Sequence, residues 1–126
     1  MKGSAVLIID DQNRLLILLR AKEAHWMPHK WGLPGGRIER GENSAGAAVR
    51  ETKEETDLNL WTSDLTSLRQ FNTKHVDLFY ATNYTGTVHI DFEHEDFKWV
   101  TREEIEKYDT TPNLVEMFDW VLQNER

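Results

Sequence analysis

The chain has 126 residues, no cysteine and a formal net charge of −7, from 22 acidic against 15 basic residues. That length suits one domain over residues 1–126 with one core, and the missing cysteines exclude a disulfide framework, a thiolate metal site and a thiol nucleophile. The acidic balance argues against holding a nucleic-acid polymer over a broad surface, while a start without a signal-peptide pattern and the lack of any membrane-length apolar run make a cytoplasmic location with no membrane partner the expectation.

Taken in chain order, the first apolar run is Ser4 to Ile9, closed by the turn-rich cluster Asp10-Asp11-Gln12-Asn13. Leu15 to Leu19 follows at strand length, so the two runs predict a hairpin with at least one fully buried strand. Ala21 to Lys30 is polar and reads as an irregular loop. Trp31 to Leu33 is a short extended piece leading to a turn at Pro34-Gly35-Gly36. Asn43 or Ser44 can cap a helix running to about Thr56. Strands are predicted at Leu65 to Phe71, Val76 to Thr82, Thr87 to Phe92 and Phe97 to Val100. Thr101 and Glu104 have the spacing of a capping box opening a short helix. Asn113 to Gln123 is amphipathic, with Leu114, Val115, Phe118, Val121 and Leu122 toward the core. The mixture predicts a mixed sheet packed by helices, an α/β or α+β sandwich.

The helix near the middle of the chain carries the chemistry. Residues three and four apart share a helix face, so Glu51, Glu54 and Glu55 fall within one arc of roughly 100°. Glu51 and Glu55 are like charges at i and i+4, which destabilise a helix. Arg50 can offset part of that repulsion, and a hard divalent cation with oxygen ligands would offset more. Gly35 and Gly36 allow close approach of backbone to a ligand, and a carbonyl there can complete a metal shell. Arg20 and Arg37 are candidates to pair with a phosphate. Trp26 can stack a base, with Phe71 and Tyr80 as further candidates to line that pocket. His25, His29 and His75 have no ligand spacing to one another.

Together, Gly36, Glu42, Arg50, Glu51, Glu54, Glu55 and Leu58 resemble the Nudix box, a motif fixed at many positions over one loop and helix. Thr52 stands where an aliphatic residue is usual and Asp57 where glycine is usual. Asp tolerates the left-handed conformation of such a helix end. The resemblance implies a Nudix-type α/β/α sandwich with a mixed sheet. It implies hydrolysis of a diphosphate linkage in a nucleoside diphosphate joined to another group. On this resemblance Glu51, Glu54 and Glu55 bind Mg²⁺ or Mn²⁺, with the Gly35 carbonyl as a further ligand. Arg50 holds one of these glutamates, and Glu42 positions Arg50 or reaches a second metal through water. A later carboxylate is expected from Glu93, with Glu95 on the same strand face as the alternative. Glu93 and Glu51 are the candidates for general base. The catalytic set is therefore Arg50, Glu51, Glu54 and Glu93, with substrate contacts at Arg20, Trp26, Gly36, Arg37 and Glu42. The expected partner is a small nucleotide, acted on by a monomer or a homodimer. The segment from Leu18 to the Pro-Gly-Gly stretch looks like the branch that hydrolyses nucleoside triphosphates. Dinucleoside polyphosphates, ADP-ribose or nucleotide sugars, a capped RNA end, and a catalytically silent nucleotide-binding module are the competing readings.

Overall fold

The structure, a computed structural model, describes residues 2–125. Two apolar runs near its start set the architecture: strands β1 (Gly3–Ile8) and β2 (Leu15–Arg20). Continuous apolar runs belong to strands buried on both faces. In β1, Val6 and Ile8 pack in one core cluster with Ala48 of helix α1 (Ser44–Thr56). Leu7, and Ile9 just beyond the strand, pack in a second cluster with Leu114, Phe118 and Val121 of helix α2 (Leu114–Asn124). Strand β2 divides in the same way, with Leu16 and Leu18 on the α1 side and Leu15 and Ile17 on the α2 side. Alternation with period two thus sends every second side chain to a different helix. The architecture is an α/β/α sandwich.

Two sheets share the middle layer. Strands β4 (Gly35–Arg37), β6 (Val76–Ala81) and the two-residue β5 (Thr66–Ser67) join β1 in the order β4-β1-β6-β5. This sheet is mixed, because β1 runs parallel to β6 and antiparallel to β4. Strands β3 (Trp31–Gly32) and β7 (His94–Val100) flank β2 in an antiparallel sheet.

Several local expectations are corrected. Strands β1 and β2 do not form a hairpin ladder. An isolated Ile9–Leu15 bridge and the Asp10 N–H to Arg14 carbonyl bond (2.9 Å) close the turn between them, and each strand enters its own sheet. The predicted strand at Leu65 to Phe71 is two residues of β5 followed by a 3₁₀ turn at Arg69–Phe71. Leu65 packs in the α1-side cluster, whereas Leu68 and Phe71 pack in the α2-side cluster, and the 3₁₀ turn closes with Phe71 N–H donating to the Leu68 carbonyl at 2.9 Å. Thr87 to Phe92 forms no strand, because its backbone donors go to the end of α1 instead: His89 N–H to the Thr56 carbonyl (2.8 Å) and Asp91 N–H to that of Glu55 (3.2 Å). Gly35 and Gly36 lie in strand β4 rather than in a turn. Other features follow the sequence closely. Asn43 Oδ1 caps the Gly46 N–H of α1 at 2.8 Å. Thr101 and Glu104 form the reciprocal capping-box bonds at 2.9 and 3.2 Å, opening a 3₁₀ turn at Glu104–Lys107.

Candidate active site

Helix α1 is held against the rim of the mixed sheet, and Asp57 ends it in the left-handed conformation, at φ 65°. That residue accepts a conformation usual for glycine because its short polar side chain tolerates it. Along the helix, Arg50 gathers the acidic residues. Its Nε and Nη2 donate to the two carboxylate oxygens of Glu42 at 2.7 and 3.0 Å. Its Nη1 donates to Glu51 and to Glu54, each at 3.0 Å. Nη2 also donates to the Arg37 carbonyl at 3.0 Å, which ties the helix to β4. The bonds from Arg50 hold the Glu42 carboxyl below the usual carboxylate range. Glu42 is thus engaged with Arg50, the positioning contact that the resemblance implies for it.

Strand β4 explains the two glycines. A Cβ at Gly36 would occupy the space of the Glu51 carboxylate, and one at Gly35 would run into the Ser4 carbonyl and Ala5. Gly35 lies opposite Ala5, between the bonds Val6 N–H to Pro34 O and Ile38 N–H to Lys2 O. In an antiparallel ladder that alternation turns the N–H and C=O of Gly35 away from β1. The N–H accordingly donates to Glu55 Oε1 at 2.9 Å. Glu55 is 6% exposed. Burial pushes its carboxyl up to about 9, against the Gly35 bond, and the nearby charges of Glu51, Asp91 and Glu93 add to the rise. Burial also raises Glu51, opposed by its bond to Arg50.

The segment after β6 brings a further carboxylate to the same place. The bond from Asp91 N–H to the Glu55 carbonyl sets Asp91 and Glu93 beside the end of α1. Glu93 is exposed and lines the same cavity as Glu51 and Glu55. Glu95 does not join them. It accepts the Lys22 N–H at 3.0 Å and faces His29 Nε2 at 3.5 Å, away from the helix carboxylates. The physical reason is a register shift in β7. Arg20 pairs with His94 and Leu19 with Asp96, so Glu95 is the extra residue of a bulge and does not share a face with Glu93. Asp91 and His94 were not singled out as site residues from sequence, yet His94 lines the cavity and its Nδ1 lies 2.9 Å from Asp91 Oδ1. Ser4 was missed as well. Its buried hydroxyl lines the cavity and has no hydrogen-bond partner. A lone serine inside an apolar strand was the available signal.

The cavity encloses about 1070 Å³. Its acidic end is formed by Gly35, Gly36, Glu51, Glu55 and Glu93, and its apolar end by Leu33, Phe71, Leu78 and Met117. Arg20 and Trp26 stand between solvent and the interior as a unit. Arg20 Nε donates to the Trp26 carbonyl at 2.7 Å, and its guanidinium lies 5.1 Å from the Trp26 ring centroid. Arg37, His25 and His75 also line the cavity, whereas Tyr80 packs against the core. Glu54 stays outside the lining, on the exposed flank with Arg50.

Among the described residues, no three His, Asp or Glu side chains converge as a ready metal cage. The bonds from Arg50 hold Glu51 and Glu54 to one side, and the Gly35 N–H holds Glu55 to the other. The donor chemistry nevertheless fits Mg²⁺ or Mn²⁺. The donors are all oxygens, and two of them, on Glu51 and Glu55, carry carboxyls whose charge is disfavoured by burial. A hard cation stabilises that charge.

The sequence model described as NUDIX domain matches residues 1–121. The chain belongs to this family. Nudix proteins hydrolyse phosphoric anhydrides, and relatives of this chain carry names of that kind. It is 31% identical over 96 residues to the Caenorhabditis elegans bis(5′-nucleosyl)-tetraphosphatase (asymmetrical), covering 65% of this chain and 66% of that one. It is 40% identical over 58 residues to the Xenopus laevis m7GpppN-mRNA hydrolase NUDT17, covering 46% of this chain and 20% of that one. The chain thus spans about a fifth of the frog relative's length and about two thirds of the nematode relative's. Among solved structures, a Caenorhabditis elegans Ap4A hydrolase binary complex superposes with a TM-score of 0.73 at 25% identity, covering 97% of this chain and 96% of that chain. No helix among the described residues is long and apolar enough to cross a membrane.

Proposed function

We propose that this Nudix protein is a metal-dependent hydrolase of a diphosphate linkage in a small nucleotide, with nucleoside triphosphates as the favoured class. One observation carries the reading: buried Glu55, its neighbour Glu51 and the outward-turned Gly35 backbone close one end of a cavity whose other end is apolar. An apolar end suits a base. The acidic end suits a phosphate chain only when cations intervene, because bare carboxylates repel phosphate. A divalent cation at Glu51, Glu54 and Glu55, with the Gly35 carbonyl, would supply charge neutralisation and activation of water. For this Glu54 must leave Arg50, which its exposed side chain permits. Arg50 holds Glu51 on the helix flank and ties the helix to Glu42. Arg20 and Arg37 meet the outer phosphates, and Trp26 shields the mouth. Hydrolysis breaks the bond between the attacked phosphorus and the bridging oxygen, and a carboxylate accepts the proton of the attacking water. Glu93 and Glu51, which both line the cavity, are the candidates to accept that proton.

Dinucleoside polyphosphates are the second reading, supported by the extent of the match to the nematode tetraphosphatase. A silent binding module is less well supported, because Glu42, Arg50, Glu51, Glu54 and Glu55 are all present. The test is hydrolysis followed by HPLC with Mg²⁺ and with Mn²⁺. The panel holds canonical and oxidised nucleoside triphosphates, diadenosine polyphosphates, ADP-ribose, nucleotide sugars and capped RNA. Cleavage of triphosphates at a diphosphate bond, abolished by EDTA, is the expected result. Cleavage of another class names that substrate instead, and nucleotide binding without cleavage of any of them turns the reading to the binding module.

A further inference from the structure

We propose that Asp91 and His94 are a positioning pair that fixes the 91–93 turn on the end of helix α1 and so holds the Glu93 carboxylate at the acidic end of the cavity. The proposal rests on the reading of Glu93 as a site carboxylate given above. Glu93 is exposed and sits in a turn rather than in a strand, so neither a core nor a ladder fixes it. Ordering a free residue costs backbone entropy, and something must offset that if the carboxylate is to stay in place. Three bonds to the backbone do so. Asp91 N–H donates to the Glu55 carbonyl at 3.2 Å, His94 N–H to the Asp91 carbonyl at 3.3 Å, and Ala21 N–H to the Glu93 carbonyl at 3.1 Å.

The side-chain bond locks this arrangement. The carboxylate oxygen of Asp91 accepts, and His94 Nδ1 at 2.9 Å donates to it in the Nδ1–H tautomer. The His94 side chain is 2% exposed and that of Asp91 15% exposed, so little water competes for the bond. The bulge at Glu95 turns His94 inward opposite Arg20. An apolar residue at 94 would fill the same space and anchor β7, yet it would leave the turn with its backbone bonds alone. A buried donor on the strand and an acceptor on the turn therefore join the core of one sheet to the helix that carries Glu51 and Glu55.

A double-mutant cycle on Mn²⁺ affinity tests this, measured by isothermal titration of the full chain and needing no substrate. Three single variants, Glu93→Gln, His94→Phe and His94→Asn, are compared with the double variant of Glu93→Gln and His94→Phe. Phe keeps the volume and loses the donor, whereas Asn keeps an amide donor at the Nδ1 position. Removing a group that orients a ligand typically weakens metal binding by about 10–100-fold. Expected are a loss of that size in His94→Phe, recovery to within about threefold in His94→Asn, and no further loss from His94→Phe once Glu93 is Gln. Should His94→Phe not fold, Asp91→Ala breaks the same bond from the turn and takes its place in the cycle. Unchanged affinity in His94→Phe, or additive losses in the double variant, overturns the positioning role while leaving Glu93 in the site. Unchanged affinity in Glu93→Gln removes Glu93 from the site, and the proposal with it.

Discussion

Glu55 shows how much one residue can say about a site. It is a carboxylate placed where burial works against its charge, and the Gly35 N–H donates to it. A solvated acidic face would have left it in water, as Glu54 is left. Glu51 is intermediate, half in the cavity and half on Arg50. Replacing Glu55 or Glu54 with Gln relieves like-charge crowding, so the fold should survive. Hydrolysis should nonetheless fall by about 100-fold or more in each variant, as for loss of a group acting in the reaction. Full activity in both, measured by initial rates at saturating Mg²⁺, would contradict the metal assignment.

At the scale of the element, α1 joins a carboxylate-bearing face to a structural one. Ala47, Ala48, Thr52 and Thr56 are buried on its core side. Thr56 Oγ1 finds the Thr52 carbonyl at 2.7 Å, whereas the buried Thr52 hydroxyl has no partner. An unpaired buried hydroxyl costs on the order of 1–3 kcal/mol. Thr52→Val keeps the shape and removes the hydroxyl, and it should raise stability by about 1 kcal/mol in urea unfolding. A lower midpoint would mean that the hydroxyl is satisfied in solution. The segment after β6 is the second instructive element. Its alternating pattern at Val88, Ile90 and Phe92 resembles a strand. The structure buries Val88, leaves Phe92 94% exposed and sends the backbone donors to the end of α1.

For the whole molecule, Glu55 couples the site to stability. Its carboxyl is raised to about 9 in the folded protein, against about 4.3 in an unfolded chain. Between those values the folded state keeps a proton that the unfolded state releases. The resulting stability is fully present below the unfolded value and is lost as pH rises through the folded one, by at most about 1.4 kcal/mol per pH unit. In EDTA, the melting temperature should fall more steeply from about pH 5 to about pH 9 in the natural chain than in Glu55→Gln, whose amide mimics the protonated group. Equal slopes would show that Glu55 titrates as an exposed residue.

Much of this protein was legible before any fold was known. The spacing of Gly36, Glu42 and Arg50 to Glu55 marks a loop followed by a helix, and helical geometry alone gathers its carboxylates on one side. Apolar runs at β1 and β2 announce strands buried on both faces, and Asn43, Thr101 and Glu104 mark their caps by local hydrogen bonding. These are short-range properties, set by periodicity and by side chains reaching backbone within a few residues. The partners of β1 and β2, the bulge that parts Glu95 from Glu93, the docking of the 91–93 turn on α1 and the burial of Glu55 against Gly35 depend on segments far apart in sequence. Only the packed sheets and helices decide those, because strand pairing and desolvation are settled by which surfaces meet.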